Sequence, residues 1–214
     1  MIRITKILII ISFLTSCSRQ TISDSNLSKI DSSKLKFNDS FNSLLNETIN
    51  DYSHQLKLES LKNGFDSLQI RIWFDYSIVP ERRLFIIKRK KSKWIAISYK
   101  MTLNLDSTYQ VDSLKTIDKF KSIKMEELKP KNGWNNFMNK LLSLKITTLP
   151  NSEEIKGFES DMDDGILYMI EIATKDKYRF YYYENPEELK DKFWQAKNLV
   201  DIIQLIKSEF KIEK

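Results

Sequence analysis

Runs of alternating apolar and polar residues most constrain what this chain can fold into. Leu68-Gln69-Ile70-Arg71-Ile72-Trp73-Phe74-Asp75 alternates with period two, which predicts a strand. Segments 84–88 and 94–101 read as two more strands joined by a basic turn. Segments 166–173 and 178–183 read as a hairpin around Thr174-Lys175-Asp176-Lys177. Turns this short are too brief for parallel crossovers, so they favour antiparallel pairing. Apolar residues at three- to four-residue spacing predict the helices. Phe41, Leu45, Ile49, Tyr52 and Leu56 mark one over 41–62, stopped by Asn63-Gly64. Trp134, Phe137, Met138, Leu141 and Leu142 mark a second, with Asn132 as its N-cap. Asn185-Pro186-Glu187-Glu188 opens a third, whose stripe runs to Phe210 with room for a bend near Trp194. Residues 103–128 fit a helix as well as an irregular strand pair. The expected fold class is α+β: one domain over 41–214, a mainly antiparallel sheet with helices packed on one face.

Scarce residue types exclude much chemistry. One cysteine in 214 residues rules out an intramolecular disulfide and a Cys-rich zinc site. The single histidine, His54, rules out a His-rich metal cluster. Four scattered glycines leave no phosphate-cradling loop and no dinucleotide fingerprint. No nucleophile-elbow pattern occurs. Asp161, Asp163 and Asp164 precede Gly165, but with Gly165 as the sixth loop position Ser160 and Met162 fall where an EF-hand needs carboxylates. No metal, cofactor or catalytic set is therefore nominated.

The first sixteen residues stand apart from the fold. Arg3 and Lys6 form a basic start, and residues 7–14 form an apolar run too short to span hydrocarbon. The run closes at Leu14-Thr15-Ser16-Cys17, which resembles the lipobox of bacterial lipoproteins. That resemblance implies diacylglyceryl transfer to the Cys17 thiol, cleavage between Ser16 and Cys17, and anchoring in a membrane by two or three acyl chains. It also divides the chain into a signal peptide over 1–16, a lipidated cysteine with a tether over 17–40, and the α+β domain. A flexible coil of the tether's length reaches about 25 Å. Ser18 after the cysteine, followed by a single acid (Asp24) over 18–24, points to the outer membrane and its periplasmic face.

From Gly133-Trp134 through Pro150, then Asp164-Gly165, Tyr178-Arg179-Phe180-Tyr181-Tyr182 and Asn185-Pro186, the chain resembles uncharacterised lipoproteins of Bacteroidota. The resemblance carries no activity with it.

Two surfaces stand out as candidates. Alternation places Arg179, Tyr181 and Tyr183 on one face of their strand. If open, that face is an aromatic platform with a cation, suited to a sugar or a peptide. If covered, it is core. Lys88-Arg89-Lys90-Lys91-Ser92-Lys93 suits an anionic surface, or simply a solvated hairpin turn. Removing residues 1–16 takes two positive charges from a formal total of +6, and a mild lysine surplus on an exported chain does not mark a nucleic-acid binder.

The function expected from these residues is that of a lipid-anchored envelope domain that binds a protein or glycan without catalysis. The alternatives are an envelope hydrolase using a carboxylate pair and an inhibitor or immunity lipoprotein. Substituting Cys17→Ala should abolish palmitate labelling and move the chain out of the membrane fraction. A C17A chain that is still acylated refutes the anchor.

Overall fold

The computed structural model describes residues 40–104, 119–160 and 164–212. Ser16, Cys17 and nearly all of the expected tether lie outside the described residues. Six strands form one antiparallel sheet: β1 (Leu68–Tyr76), β2 (Glu81–Lys90), β3 (Lys93–Leu103), β4 (Phe120–Leu128), β5 (Ile166–Thr174) and β6 (Lys177–Glu184). Their order is β4-β3-β2-β1-β5-β6. The first three strands meander through short turns, and β4 pairs beside β3. The β5–β6 hairpin then adds to the free edge of β1, so β2 and β1 sit at the centre. The ambiguous stretch 103–128 ends in strand β4, while 105–118 lie outside the described residues.

The helices are α1 (Ser40–Gln55), α2 (Trp134–Ser143), the single turn α3 (Pro186–Leu189) and α4 (Trp194–Phe210). They cover both faces of the sheet, which corrects the expectation of one. Ile70, Ile72 and Phe74 of β1 pack with Phe85, Phe137, Leu141, Ile202 and Phe210, the last four from α2 and α4 where they are not strand residues. Trp73, Leu84, Ile86 and Met101 point the other way, onto Leu45, Ile49 and Tyr52 of α1. The physical reason is that the central strands are apolar on both sides. The segment from β4 to β5 and the segment after β6 both cross the first face. The second face is covered by α1 and by the loop that follows it, where Leu61 is buried.

Three helix ends differ from expectation, each for a local reason. Helix α1 ends at Gln55 because Lys57 turns left-handed (φ 53°) and the Leu58 N–H donates to the Ser53 carbonyl at 2.9 Å. Gly64 has another use: a Cβ there would lie 2.2 Å from the Lys175 carbonyl oxygen of the β5–β6 turn. Asn132 does not cap α2, where Gly133 takes the cap position. Asn132 instead donates through its backbone N–H and its Nδ2 to the Glu209 carboxylate at 2.9 and 2.8 Å, tying the start of α2 to the end of α4. The long C-terminal stripe is two helices. The chain is extended at Phe193, whose ring packs on Phe158 at 5.1 Å.

Between β1 and β5 lies a buried ion pair that the alternation did not announce. Arg71 and Glu171 face each other across the strands, Nη1 to Oε2 at 3.9 Å, and both are buried. Glu171 also accepts from Trp73 Nε1 at 2.9 Å and from the Tyr178 hydroxyl at 3.1 Å. Arg71 donates to the Glu59 carbonyl at 2.7 Å. Burial draws the Arg71 guanidinium below its ordinary value, and Glu171 is first among the groups opposing that shift. Removing one partner of such a pair strands a charge in the core, at a cost of about 3–5 kcal/mol. Glu171→Ala should therefore lower unfolding stability by about that much in urea titrations. The double variant Arg71→Met/Glu171→Met should recover most of the loss, and failure of that recovery would assign the loss to packing alone.

Candidate functional site

The expected aromatic platform is core. Arg179, Tyr181 and Tyr183 are buried, at 4%, 0% and 0% exposure. Segment 144–153 covers them, and their polar tips hold it there. Arg179 donates through Nη1 to the Thr147 carbonyl at 2.7 Å and through Nη2 to the Leu149 carbonyl. The Tyr181 hydroxyl donates to the Ile146 carbonyl at 2.6 Å, and that of Tyr183 to the Pro150 carbonyl at 2.7 Å. On the edge of β6, the Tyr182 N–H donates to Asn151 Oδ1 at 3.2 Å. Buried carbonyls outside regular structure need donors, and this strand supplies them. Burial raises the Tyr181 and Tyr183 hydroxyls well above their ordinary value, so they remain neutral donors.

The other candidates resolve simply. Residues 90–93 form the exposed β2–β3 turn, with Lys91 left-handed and Arg89 set 5.9 Å over the Trp94 ring. Asp161 and Asp163 lie outside the described residues, and Asp164 is exposed. Among the described residues no cluster of three His, Cys, Asp or Glu side chains is placed to hold a metal. His54 is exposed in the last turn of α1.

A different site emerges where the strand ends run out from under α2 and α4. Tyr76, Val79, Pro80, Ile166 and Tyr168 line a cleft of about 610 Å³, with Glu81, Arg83, Glu187 and Lys207 at its polar positions. Arg83 also lines a second cleft of about 700 Å³, shared with Ser98, Lys100, Glu126, Lys129, Lys131 and Glu209. The two clefts meet at Arg83: one side apolar, the other rich in cations.

The rim is built from fixed contacts. Arg82 pairs with Asp75 at 2.5 Å and donates to the Tyr76 and Val79 carbonyls at 2.6 and 2.7 Å, holding the β1–β2 turn. Ser77 ties that turn to Gly165: its N–H donates to the Gly165 carbonyl at 3.0 Å, and its Oγ accepts from the Gly165 N–H at 2.7 Å. Gly165 is needed because any Cβ would fall 1.7 Å from Asn185 Oδ1. That oxygen accepts from the Ile166 N–H at 2.8 Å, and Asn185 is left-handed at φ 44°. Asn185 thus joins β5 to α3, rather than capping α3 with its side chain as its sequence position suggested.

Charge inside the site is paired. Glu81 bridges Arg83 and Lys100, each at 2.6 Å. Partial burial pushes its carboxyl up, but hydrogen bonds from Lys100 and Arg83 outweigh that and hold it below its ordinary value. Tyr168 donates to Glu187 Oε1 at 2.7 Å, and burial raises its hydroxyl far above the usual range. Burial also raises the Tyr76 hydroxyl, with Arg83 opposing, which keeps a neutral donor on the wall. Sequence reasoning missed this site because its members come from β1, β2, β3, β5, α3 and α4. The one local signal is Pro80 between β1 and β2, which marks a turn.

No protein-family model matches the chain, and no curated protein and no solved structure matches it either.

Glu209 closes the cationic cleft and gives a pH prediction. The Asn132 side-chain hydrogen bond is the main cause holding its carboxyl below its ordinary value. A depressed folded value means the stabilisation is full above the unfolded value and is lost as pH falls through the folded one. Glu209→Gln should cost about 1.5–3 kcal/mol at neutral pH, the range for hydrogen bonds to a charged group. The gap from the unsubstituted chain should narrow in urea titrations at about pH 3. A gap independent of pH would refute the charged role.

Proposed function

We propose that this chain is a lipid-anchored binding domain of the bacterial cell envelope, held at the outer membrane by Cys17 and facing the periplasm. Its ligand is an acidic envelope glycan, seated in the groove around Arg83. The observation that carries this reading is the meeting of an apolar, tyrosine-walled cleft with a cation-rich one at a single arginine. Ligand sites commonly combine an apolar wall with a few fixed polar groups. Tyr76 offers a partly open aromatic wall of the kind on which a sugar ring stacks. Arg83 and Lys100 are held by Glu81, and together with Lys129 and Lys131 they leave a surplus of positive charge in the cleft to attract an anionic group. The pre-set turn at Arg82 and Ser77 reduces the ordering cost of binding.

The alternative of a carboxylate-pair hydrolase has one observation in its favour: Glu81 and Glu187 line the same cleft. Against it, Glu81 is stabilised in its charged form by two cations. That leaves Glu81 only the base or nucleophile role, and the other carboxyl, Glu187, is engaged by the Tyr168 hydroxyl at 2.7 Å. Binding is therefore the favoured reading.

Soluble peptidoglycan fragments titrated into the detergent-solubilised full chain test it. Arg83→Gln should weaken binding by about tenfold or more, as loss of a charge-assisted contact implies. Lys90→Gln, on the β2–β3 turn, should leave it unchanged. Absence of binding, or equal effects of both variants, overturns the proposal. Cleavage of the fragments would favour the hydrolase instead.

A further inference from the structure

One end of the sheet concentrates positive charge. Leu68, the first residue of β1, pairs with Arg89 on one side and Thr174 on the other, so the β2–β3 and β5–β6 turns lie at the same end. The first turn exposes Lys90, Lys91 and Lys93, and the second exposes Lys175 and Lys177. Lys62 is exposed on the loop that enters β1. That loop is clasped to the second turn: the Phe65 N–H donates to the Thr174 carbonyl at 2.8 Å, and Gly64 leaves no room for a Cβ against the Lys175 carbonyl. Across segments 62–68, 88–94 and 174–178 the acids are Asp66 and Asp176 alone, so this end is strongly cationic.

Two features set this end apart from an ordinary solvated turn. Lysines on strands commonly keep an edge from pairing with another chain, but β2 and β3 are inner strands of the sheet. Lys90 and Lys93 also stand directly opposite each other at the close of the hairpin, where like charges oppose pairing. The cluster thus weakens the hairpin without guarding an edge, and an anionic surface would offset that cost. The lysines sit on two turn tips and a loop, and they line neither cleft around Arg83. Such an open array fits a plane of headgroups better than a single bound anion.

We infer that this lysine-rich end docks on anionic phospholipid headgroups of the membrane in which Cys17 is anchored. The inference rests on the Cys17 anchor of the proposed function and not on its ligand. A tether reaching about 25 Å holds the domain at high effective concentration over the bilayer, where weak contacts suffice. Each lysine near an anionic surface contributes about fivefold to docking. Docked this way, the strands stand upright on the bilayer. The opposite end of the sheet, where Tyr76 pairs with Ile166 beside the apolar cleft, then lies about 30 Å from the headgroups, the rise of a nine-residue strand. Docking therefore keeps that cleft clear of the membrane.

Fluorescence quenching in reconstituted vesicles tests it. The full acylated chain is placed in vesicles of phosphatidylcholine alone or mixed with phosphatidylglycerol, with spin-labelled headgroups as quenchers. Acylation of Cys17 leaves an introduced cysteine as the only thiol to label. A fluorophore on Ser92→Cys, at the tip of the β2–β3 turn, should be quenched in the anionic vesicles. It should be spared in phosphatidylcholine alone and in about 1 M salt, where the screening length falls to about 3 Å. A fluorophore on Ile78→Cys, exposed at the opposite end, should be spared throughout. Adding Lys90→Gln, Lys91→Gln and Lys93→Gln together should reduce docking by about a hundredfold and abolish the quenching. Urea titration should find that variant no less stable, because it removes the Lys90–Lys93 opposition. Equal quenching at both positions, quenching that ignores lipid charge, salt or the three substitutions, or none at the β2–β3 turn overturns the docking. A chain that fails to float with either vesicle overturns the anchor as well.

Discussion

The structure depends on one seam, the pairing of β1 with β5. Two sections of chain separated by about ninety residues meet there, one arriving from a meander and the other from a hairpin. Apolar side chains alone would leave this seam free to slip by two residues, since Ile70, Ile72, Ile170 and Ile172 resemble one another. The Arg71–Glu171 pair removes that freedom. Any slip buries both charges without a partner, and Trp73 and Tyr178 then lose their acceptor. The pair contributes selection of one register more than net stability, because desolvation offsets most of its attraction.

From this seam the rest is positioned outward. The α1 face is closed by a helix and a loop whose Glu59 carbonyl reaches Arg71. On the opposite face, α2 and α4 are tied to each other through Asn132 and Glu209, and they leave the strand ends near Tyr76 and Arg83 uncovered. The groove is thus a consequence of where two helices stop. Its rim is rigid because Arg82, Ser77 and Asn185 each bind backbone groups of neighbouring turns.

Much of the secondary structure was legible in the sequence, because periodicity reports burial directly. β1, the β5–β6 hairpin and α2 appear where their apolar spacing places them. The aromatic strand β6 shows where this reading ends. Alternation correctly put Arg179, Tyr181 and Tyr183 on one face, but it carries no information on what lies over that face. The cover is an irregular segment with no period of its own, and it is held by hydroxyls and a guanidinium donating to its carbonyls. Asn132 gives up the cap of α2 to Gly133, and Asn185 holds the N-cap position of α3 without a side-chain cap bond, for a related reason. Both are residues that cap helices well, and both found distant partners instead.

The sequence by itself determined the fold class and most strands, because each depends on local spacing. Tertiary structure alone decided which faces are covered, which charges meet, and where the groove lies. Those outcomes depend on contacts between residues far apart in the chain. Glu81 between Arg83 and Lys100, and Arg71 against Glu171, become sites only when strands align. Local composition cannot encode that alignment, because it is set by the energy of the whole sheet and its two cores.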